Sequence, residues 1–281
     1  MGGVLYVVAT PIGHLGDLTE RAIDVLKQAP RIAAEDTRRT RGLLSHLGIT
    51  GKPLDRLDAH ATPQDINRLV EFLVAGEDLA LVTDAGTPVV SDPGTDLVAA
   101  AAAAGVRVVP IPGASAVMAA LAASGLCTGA FRFLGFLPRK GPERREALGV
   151  LRGTPETVVL FESPERTAET LEDLAAVVPT RRAVLARELT KLHEEILRGS
   201  LSELAAIARE REVLGEVTLV IGPGTPESAP AMLEEEIDRR IDEGLSLGRR
   251  PKDIADEIAL ESGLPRRDLY ARVVGRKRDG R

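Results

Sequence analysis

The sequence predicts an α/β protein of two domains with a small helical tail, and three observations carry that prediction. Short apolar runs alternate with amphipathic stretches from Gly3 to Ile111, as strands and helices do when they build a mainly parallel sheet. From Pro112-Gly113 the order changes. Two strand-like runs, 182–188 and 194–199, follow one another directly, which suggests a hairpin and antiparallel pairing. After the turn-rich GPGTPESAP stretch that starts at Gly222, the rest of the chain reads as helices. The expected boundaries are 1–112, 113–224 and 225–281, and 281 residues fit about two domains with a tail.

In the first domain Gly3–Thr10 reads as a buried strand. Asp17-Leu18-Thr19-Glu20 has the form of a capping box opening a helix Leu18–Gln28, with apolar residues at Leu18, Ala22, Val25 and Leu26. Arg31–Glu35 is a second strand. It runs into Asp36-Thr37-Arg38-Arg39-Thr40-Arg41, which opens a helix stopped by Gly48. Leu54–His60 is a third strand, and Thr62-Pro63 supplies an N-cap and a first helical residue for a helix to Ala75. Leu79–Val82 feeds a loop, Thr83–Gly94, before a helix Asp96–Ala104, and Val106–Ile111 is the fifth strand.

The stretch Leu81–Gly94, LVTDAGTPVVSDPG, holds two prolines, two glycines and two aspartates at the end of an apolar strand. Connections of this kind usually run only about 2–6 residues. Open α/β sheets bind ligands at the carboxyl ends of their parallel strands, so this loop is the first candidate ligand contact.

The second domain is expected to hold a helix Ala114–Ser124 and strands Phe131–Leu137, Thr157–Glu162, Arg182–Glu188, Glu194–Gly199 and Val217–Ile221. Helices Pro164–Val177 and Leu201–Glu212 lie between them, the second behind the capping box Ser200-Leu201-Ser202-Glu203. Arg139, Lys140, Arg144 and Arg145 fall in a loop after the first of these strands. In the tail, Met232–Glu243, Pro251–Ser262 and Pro265–Val274 read as helices. The spacing of Ile254, Ala255, Ile258, Ala259, Gly263 and Leu264 suggests a small helix-turn-helix. The basic residues from Arg266 onward are a candidate phosphate contact.

Composition narrows the function. With 44% hydrophobic and 28% charged residues the chain can build full cores, but two tyrosines, five phenylalanines and no tryptophan leave little for base stacking. A single cysteine, Cys127, forms no internal disulfide and fits a reducing, cytoplasmic setting. The sequence runs into the first strand pattern without a basic and apolar stretch, so no signal peptide is expected, and the run Leu97–Ala104 is too short to span a bilayer. A net charge of −6 means that nucleic acid must be met by local basic patches rather than by the overall field.

No GxxxxGK[ST] motif, strand-linked GxGxxG or GxSxG elbow is present, which disfavours nucleotide hydrolysis, dinucleotide redox chemistry and the α/β-hydrolase mechanism. The four histidines, His14, His46, His60 and His193, lack metal-ligand spacing, so no metal is expected. What remains is a set of polar strand-end loops: 10–17, 35–41, 83–94, 111–115, 161–166 and 215–218. None contains an evident nucleophile–base pair. Such a site suits group transfer by positioning better than covalent catalysis.

Seven motifs in order resemble the ribosomal RNA small subunit methyltransferase I family. They are Val8-Ala9-Thr10-Pro11-Ile12-Gly13 with Leu15-Gly16-Asp17, Glu35-Asp36-Thr37-Arg38-Arg39-Thr40, Leu81–Gly94, Pro112-Gly113-Ala114-Ser115-Ala116, Gly135-Phe136-Leu137-Pro138-Arg139-Lys140, Phe161-Glu162-Ser163-Pro164 and Arg187-Glu188-Leu189-Thr190-Lys191. The resemblance implies a tetrapyrrole-methylase fold with S-adenosylmethionine in a cleft between two α/β domains. It also implies 2′-O-methylation of a cytidine in the decoding centre of 16S rRNA, by a homodimer. His14 stands where the family usually has Asn, and Asp58-Ala59-His60-Ala61-Thr62 stands where it often has a His-Glu-His-Asn-like stretch.

Carried onto matching positions, the resemblance gives Pro11 backbone contact with the donor and lines the pocket with Asp84, Gly86, Thr87 and Ser91. Ser115, Ala116, Phe161, Glu216, Val217 and Thr218 would close it around the adenosine. Arg38, Arg39 and Arg41, with Arg139, Lys140, Arg144 and Arg145, are candidate RNA phosphate contacts. Asp36, Glu188 and Lys191 are candidates for the base that takes the ribose proton. Two other readings stay open: a methylase of a small tetrapyrrole acid, and a non-catalytic ribosome-binding module. The basic clusters favour RNA over the first, and the intact Asp84-Ala85-Gly86-Thr87-Pro88 loop speaks against the second.

Overall fold

The computed structural model describes residues 2–127, 129–224, 234–262 and 266–279. The expected helix start at Met232, the turn at Gly263-Leu264 and most of the turn-rich stretch after Gly222 lie outside them. The chain forms two compact units, Met1–Ala120 with Glu188–Glu195, and Leu121–Arg187 with Ile196–Arg281.

The first unit is a doubly wound parallel sheet. Its strands β1 (Val4–Val8), β2 (Arg31–Ala34), β3 (Leu54–Arg56), β4 (Leu79–Val82) and β5 (Arg107–Ile111) lie in the order β3-β2-β4-β1-β5, every pair parallel. All of β4 is buried, as a strand covered on both faces must be. Its side chains alternate between two cores. Ala80 and Val82 pack with helices α1 (Glu20–Gln28) and α2 (Thr37–His46), while Leu79 and Leu81 pack with α3 (Pro63–Val74) and α4 (Thr95–Ala103).

The helix starts follow local chemistry, with one correction. Thr19, not Asp17, caps α1: its side chain accepts from the Ala22 amide, and Asp17 sits instead in a single 3-10 turn, Leu15–Asp17. The helix begins at Glu20 rather than Leu18, so the threonine stands at the N-cap position and Asp17 falls outside the first turn. Asp36 caps α2, and Thr62 with Asp65 forms a full capping box on α3. Gly94 precedes α4 at φ +119°, where an added Cβ would lie 2.9 Å from Leu81 Cδ2. The third strand ends at Arg56 rather than His60, because Asp58 accepts the His60 amide at 3.0 Å and turns the chain.

The second unit carries a mixed sheet. Its strands are β6 (Phe131–Phe136), β7 (Thr157–Glu162), β8 (Arg182–Arg187), β9 (Glu195–Ser200) and β10 (Val217–Ile221), in the order β6-β7-β10-β8-β9. β10 runs antiparallel to both β7 and β8, and Leu219 sits opposite Leu160 on one side and Leu185 on the other. These leucines share a core with α7 (Pro164–Val177) and α8 (Leu201–Glu210). Helix α5 (Ala116–Ser124) precedes this sheet in the chain.

A helix absent from the sequence reading, α6 (Pro142–Gly153), occupies the expected basic loop. Gly141 followed by Pro142, with Glu143 in the first turn, is the start signal that the neighbouring basic run obscured. The tail holds α9 (Glu234–Ser246), α10 (Pro251–Ser262) and α11 (Arg266–Asp279) around Ile237, Ile241, Ile254, Ile258, Leu269 and Val273. Arg272 pairs with Asp238 and Arg276 with Asp242, so part of the basic tail is committed to its own fold.

Candidate functional site

The carboxyl ends of β1 and β4 are tied together beyond the sheet. The Thr10 amide donates to the Gly86 carbonyl at 2.9 Å and the Gly86 amide returns a bond to the Thr10 carbonyl at 3.0 Å. The Thr10 hydroxyl donates to the Thr83 carbonyl at 3.1 Å. From these two neighbouring strands the chain departs to opposite faces, by α1 on one and α4 on the other. That divergence is the crevice where open α/β sheets bind ligands.

Backbone comes unusually close here. Gly86 has φ +84°, and Gly113 has no room for a side chain without meeting Ala9 Cβ at 3.0 Å. Val89 and Ser91, at φ +78° and +65°, hold left-handed backbone that side-chain-bearing residues rarely adopt. Strain of this kind persists where the surroundings over-determine it, and it gathers at ligand sites.

A carboxylate clasp joins the β2 and β4 ends. The Thr83 hydroxyl donates to Glu35 Oε2 at 2.6 Å, and the Asp84 amide donates to the same oxygen at 3.2 Å. In return Asp84 Oδ1 accepts the Asp36 amide at 3.0 Å, and Asp84 Oδ2 lies 3.5 Å from Arg39 Nε. Burial, and then the charge of Glu35, raises the Asp84 carboxyl above its ordinary range. Asp92 is pushed further, to about 6, by burial first, which outweighs the opposing Thr83 hydroxyl, and by the like charges of Glu35 and Asp84. Asp36 goes the other way: the Arg38 guanidinium, with the Arg38 amide, holds it well below the usual carboxylate range.

The segment Glu188–Glu195, between β8 and β9, lies against the β1–α1 loop within the first unit. Thr190 Oγ1 accepts the His14 amide at 3.0 Å. A Cβ on Gly13 would fall 2.4 Å from Lys191 Cγ and 2.7 Å from Thr190 Oγ1. Lys191 Nζ pairs with Glu188 Oε1 at 2.8 Å. His14 itself takes on a local task, its Nδ1 accepting the Gly16 amide at 3.1 Å.

Comparison with known proteins decides the family. Residues 4–205 match the family model described as Tetrapyrrole (Corrin/Porphyrin) Methylases. Over 95% of this chain and 93% of the other, it is 44% identical to ribosomal RNA small subunit methyltransferase I of Halalkalibacterium halodurans. It is 43% identical to the protein of that name from Synechocystis, over 99% of this chain and all of the other. The chain belongs to the ribosomal RNA small subunit methyltransferase I family. The fold is also that of the uroporphyrin-III C-methyl transferase from Thermus thermophilus complexed with S-adenyl homocysteine. That likeness has a TM-score of 0.57 and 20% identity, and covers 78% of this chain and 97% of the other.

Membership in this methyltransferase family makes the chain an enzyme that takes its methyl group from S-adenosylmethionine. The first unit's residues fit such a donor. Gly86, at φ +84°, leaves open the space that a Cβ would take, with Ile12 Cγ2 3.5 Å away. Gly113 lets the chain after β5 pack directly on Ala9, and Pro11 follows the bridged Thr10 directly. Thr87 Oγ1 donates to the Ala114 carbonyl at 3.3 Å, Ser115 Oγ accepts from the Met118 amide at 3.4 Å, and Ala116 is the first residue of α5. Pro11, Asp84, Gly86, Thr87, Ser91 and Ser115 thus lie in the connections that follow β1, β4 and β5 of one sheet, and Ala116 opens the helix after β5.

The remaining donor candidates belong to the second unit. Phe161 and Thr218 are cross-strand partners, as are Glu162 and Val217, and Glu216 is exposed just before β10. Phe161 packs edge-on against Phe133, with ring centroids 4.9 Å apart.

Arg38, Arg39 and Arg41 are exposed on the first turns of α2, and Arg139, Lys140 and Arg145 are exposed at and before the start of α6. Arg144 differs from them. Its side chain is 7% exposed and bonds Asp173 at 2.7 Å, the Pro138 carbonyl at 3.0 Å and Thr170 Oγ1 at 3.1 Å. It staples α6 to α7 and has no surface to offer a phosphate. Among the described residues no cluster of metal-ligating side chains occurs.

Glu35, Thr83, Asp92 and Thr190 are not among the residues expected from the sequence, although each lies inside one of its motifs, next to the expected Asp36, Asp84, Ser91 or Lys191.

Proposed function

We propose that this enzyme methylates the 2′-hydroxyl of a cytidine ribose in the decoding centre of 16S rRNA, as a cytoplasmic homodimer. The observation that carries the reading is the near-full-length match to relatives named ribosomal RNA small subunit methyltransferase I. The strand-end loops of the first unit support it: they present glycine-lined backbone, acceptor carboxylates and hydroxyls. The donor supplies a methyl group on a cationic sulfonium. Pro11, Asp84, Gly86, Thr87, Ser91, Ser115 and Ala116, with Phe161, Glu216, Val217 and Thr218, bind and orient it, and alignment supplies much of the rate.

Arg38, Arg39, Arg41, Arg139, Lys140 and Arg145 hold RNA phosphates, which gives a net-acidic chain its local attraction for rRNA. The ribose hydroxyl must lose a proton. Asp36 and Lys191 are the proposed proton-handling groups. The Arg38 ion pair lowers the basicity of Asp36, and Glu188 holds Lys191 in place.

A tetrapyrrole substrate is the second reading, favoured by the family model's description and by the fold neighbour. Incubation with methyl-labelled S-adenosylmethionine and, separately, 30S subunits, naked 16S rRNA and uroporphyrinogen distinguishes them. Label in RNA supports the proposal; label in the tetrapyrrole replaces it.

A further inference from the structure

We propose that Thr190 is a positioning residue of the donor site, fixing the Pro11–Gly13 backbone through the His14 amide. The inference rests on the assignment of that backbone to the donor. Thr190 is β-branched and yet sits at φ +65°, two residues after Glu188 at φ +51°. Backbone of this kind is costly for such a side chain and is kept only where something holds it. Two bonds hold it here. The Thr190 amide donates to Glu194 Oε2 at 2.7 Å, closing the segment on itself. Its hydroxyl oxygen accepts the His14 amide at 3.0 Å, across 176 residues of sequence.

A glycine would adopt the same backbone without strain, so conformation alone does not call for threonine. The hydroxyl is what a glycine lacks. On the other side of the contact, Gly13 leaves no room for a Cβ beneath Thr190 and Lys191, so the segment and the loop are seated against each other without a gap. The hydroxyl is a side-chain acceptor that meets the β1–α1 loop from this segment. It sets where the backbone after Pro11 stands, and that backbone must approach the donor to within contact.

The test separates hydroxyl from strain. Thr190→Gly relieves the left-handed strain and removes the acceptor, Thr190→Ala keeps the strain and removes the acceptor, and Thr190→Ser keeps both. S-adenosylhomocysteine affinity is measured by calorimetry, with methylation of 30S subunits as a second readout. The expected result is a loss of roughly three- to tenfold in affinity for Thr190→Gly and Thr190→Ala, the size of one hydrogen bond. The KM for S-adenosylmethionine should rise in step with unchanged kcat, and Thr190→Ser should recover wild-type values. Thr190→Gly should melt no lower than wild type.

Gly86→Val is the control, because it places a side chain in the assigned donor wall. If Gly86→Val loses the ligand while Thr190→Gly and Thr190→Ala bind as wild type, the role of Thr190 is overturned and the donor assignment stands. If Gly86→Val binds as wild type, the assignment itself fails and the role of Thr190 falls with it.

Discussion

Glu35 Oε2 accepts the Thr83 hydroxyl at 2.6 Å, joining the ends of two adjacent parallel strands by one short bond from a buried side chain. Thr83 is 3% exposed, and the same carboxylate oxygen also takes the Asp84 amide. Removal of the hydroxyl leaves a carboxylate short of a partner in a confined place. Thr83→Val should therefore lower unfolding stability by about 1.5–3 kcal/mol, the range for hydrogen bonds to charged groups. Denaturant unfolding checks this, and a change within about 0.5 kcal/mol would show that the clasp is incidental.

The clasp also predicts a pH dependence. The Asp92 carboxyl, ordinarily near 3.8, is pushed up to about 6 in the folded protein. The folded state thus keeps a proton that the unfolded chain has released. The stabilisation from this group is complete below about pH 4 and is lost as pH rises through about 6. Asp92→Asn should flatten this part of the stability–pH curve and be the more stable protein at neutral pH. Parallel urea-midpoint curves for the two proteins would contradict it.

Arg144 and Arg145 are neighbours with opposite expected outcomes. Arg144→Ala breaks a largely buried ion pair whose Asp173 partner is 38% exposed, and should cost about 2–3 kcal/mol, less than a fully buried pair. Arg145→Ala should leave stability within about 0.5 kcal/mol of wild type while weakening 30S binding and reducing its salt dependence by about one counterion. Thermal unfolding and binding at several salt concentrations separate the two.

Asp36→Ala and Lys191→Ala test proton handling. Loss of a base costs about 10²-fold or more in turnover, so each should lower kcat while moving the KM for S-adenosylmethionine little. Single-turnover assays decide it. If both variants methylate at normal rates, neither residue is the base.

Much of this fold was legible because buried strands announce themselves: Val4–Val8, Leu79–Val82 and Val217–Ile221 are apolar runs bounded by turn residues. The β4 loop and the glycines beside it stand out as a candidate ligand contact from chain chemistry alone. The clasp was not. Glu35 and Thr83 meet only because β2 lies beside β4, a neighbour relation that strand order in the sheet creates and sequence order hides. The Thr190–His14 contact is hidden for the same reason, and the left-handed backbone at Thr190 runs against the preference of its residue type. Arg144 shows the converse error: in sequence it is one cation of four, and only the packing of α6 on α7 reveals that it is consumed internally.

The central claim is methyl transfer to a ribose 2′-oxygen of small-subunit rRNA, and alkaline cleavage mapping tests it most directly. A 2′-O-methyl group removes the nucleophile that cuts the adjoining phosphodiester, so one modified nucleotide leaves one gap in the cleavage ladder. 30S subunits lacking the modification, treated with this enzyme and S-adenosylmethionine, should gain a single gap at a decoding-centre cytidine. An unbroken ladder together with label on a base, or label confined to a tetrapyrrole, would contradict the account.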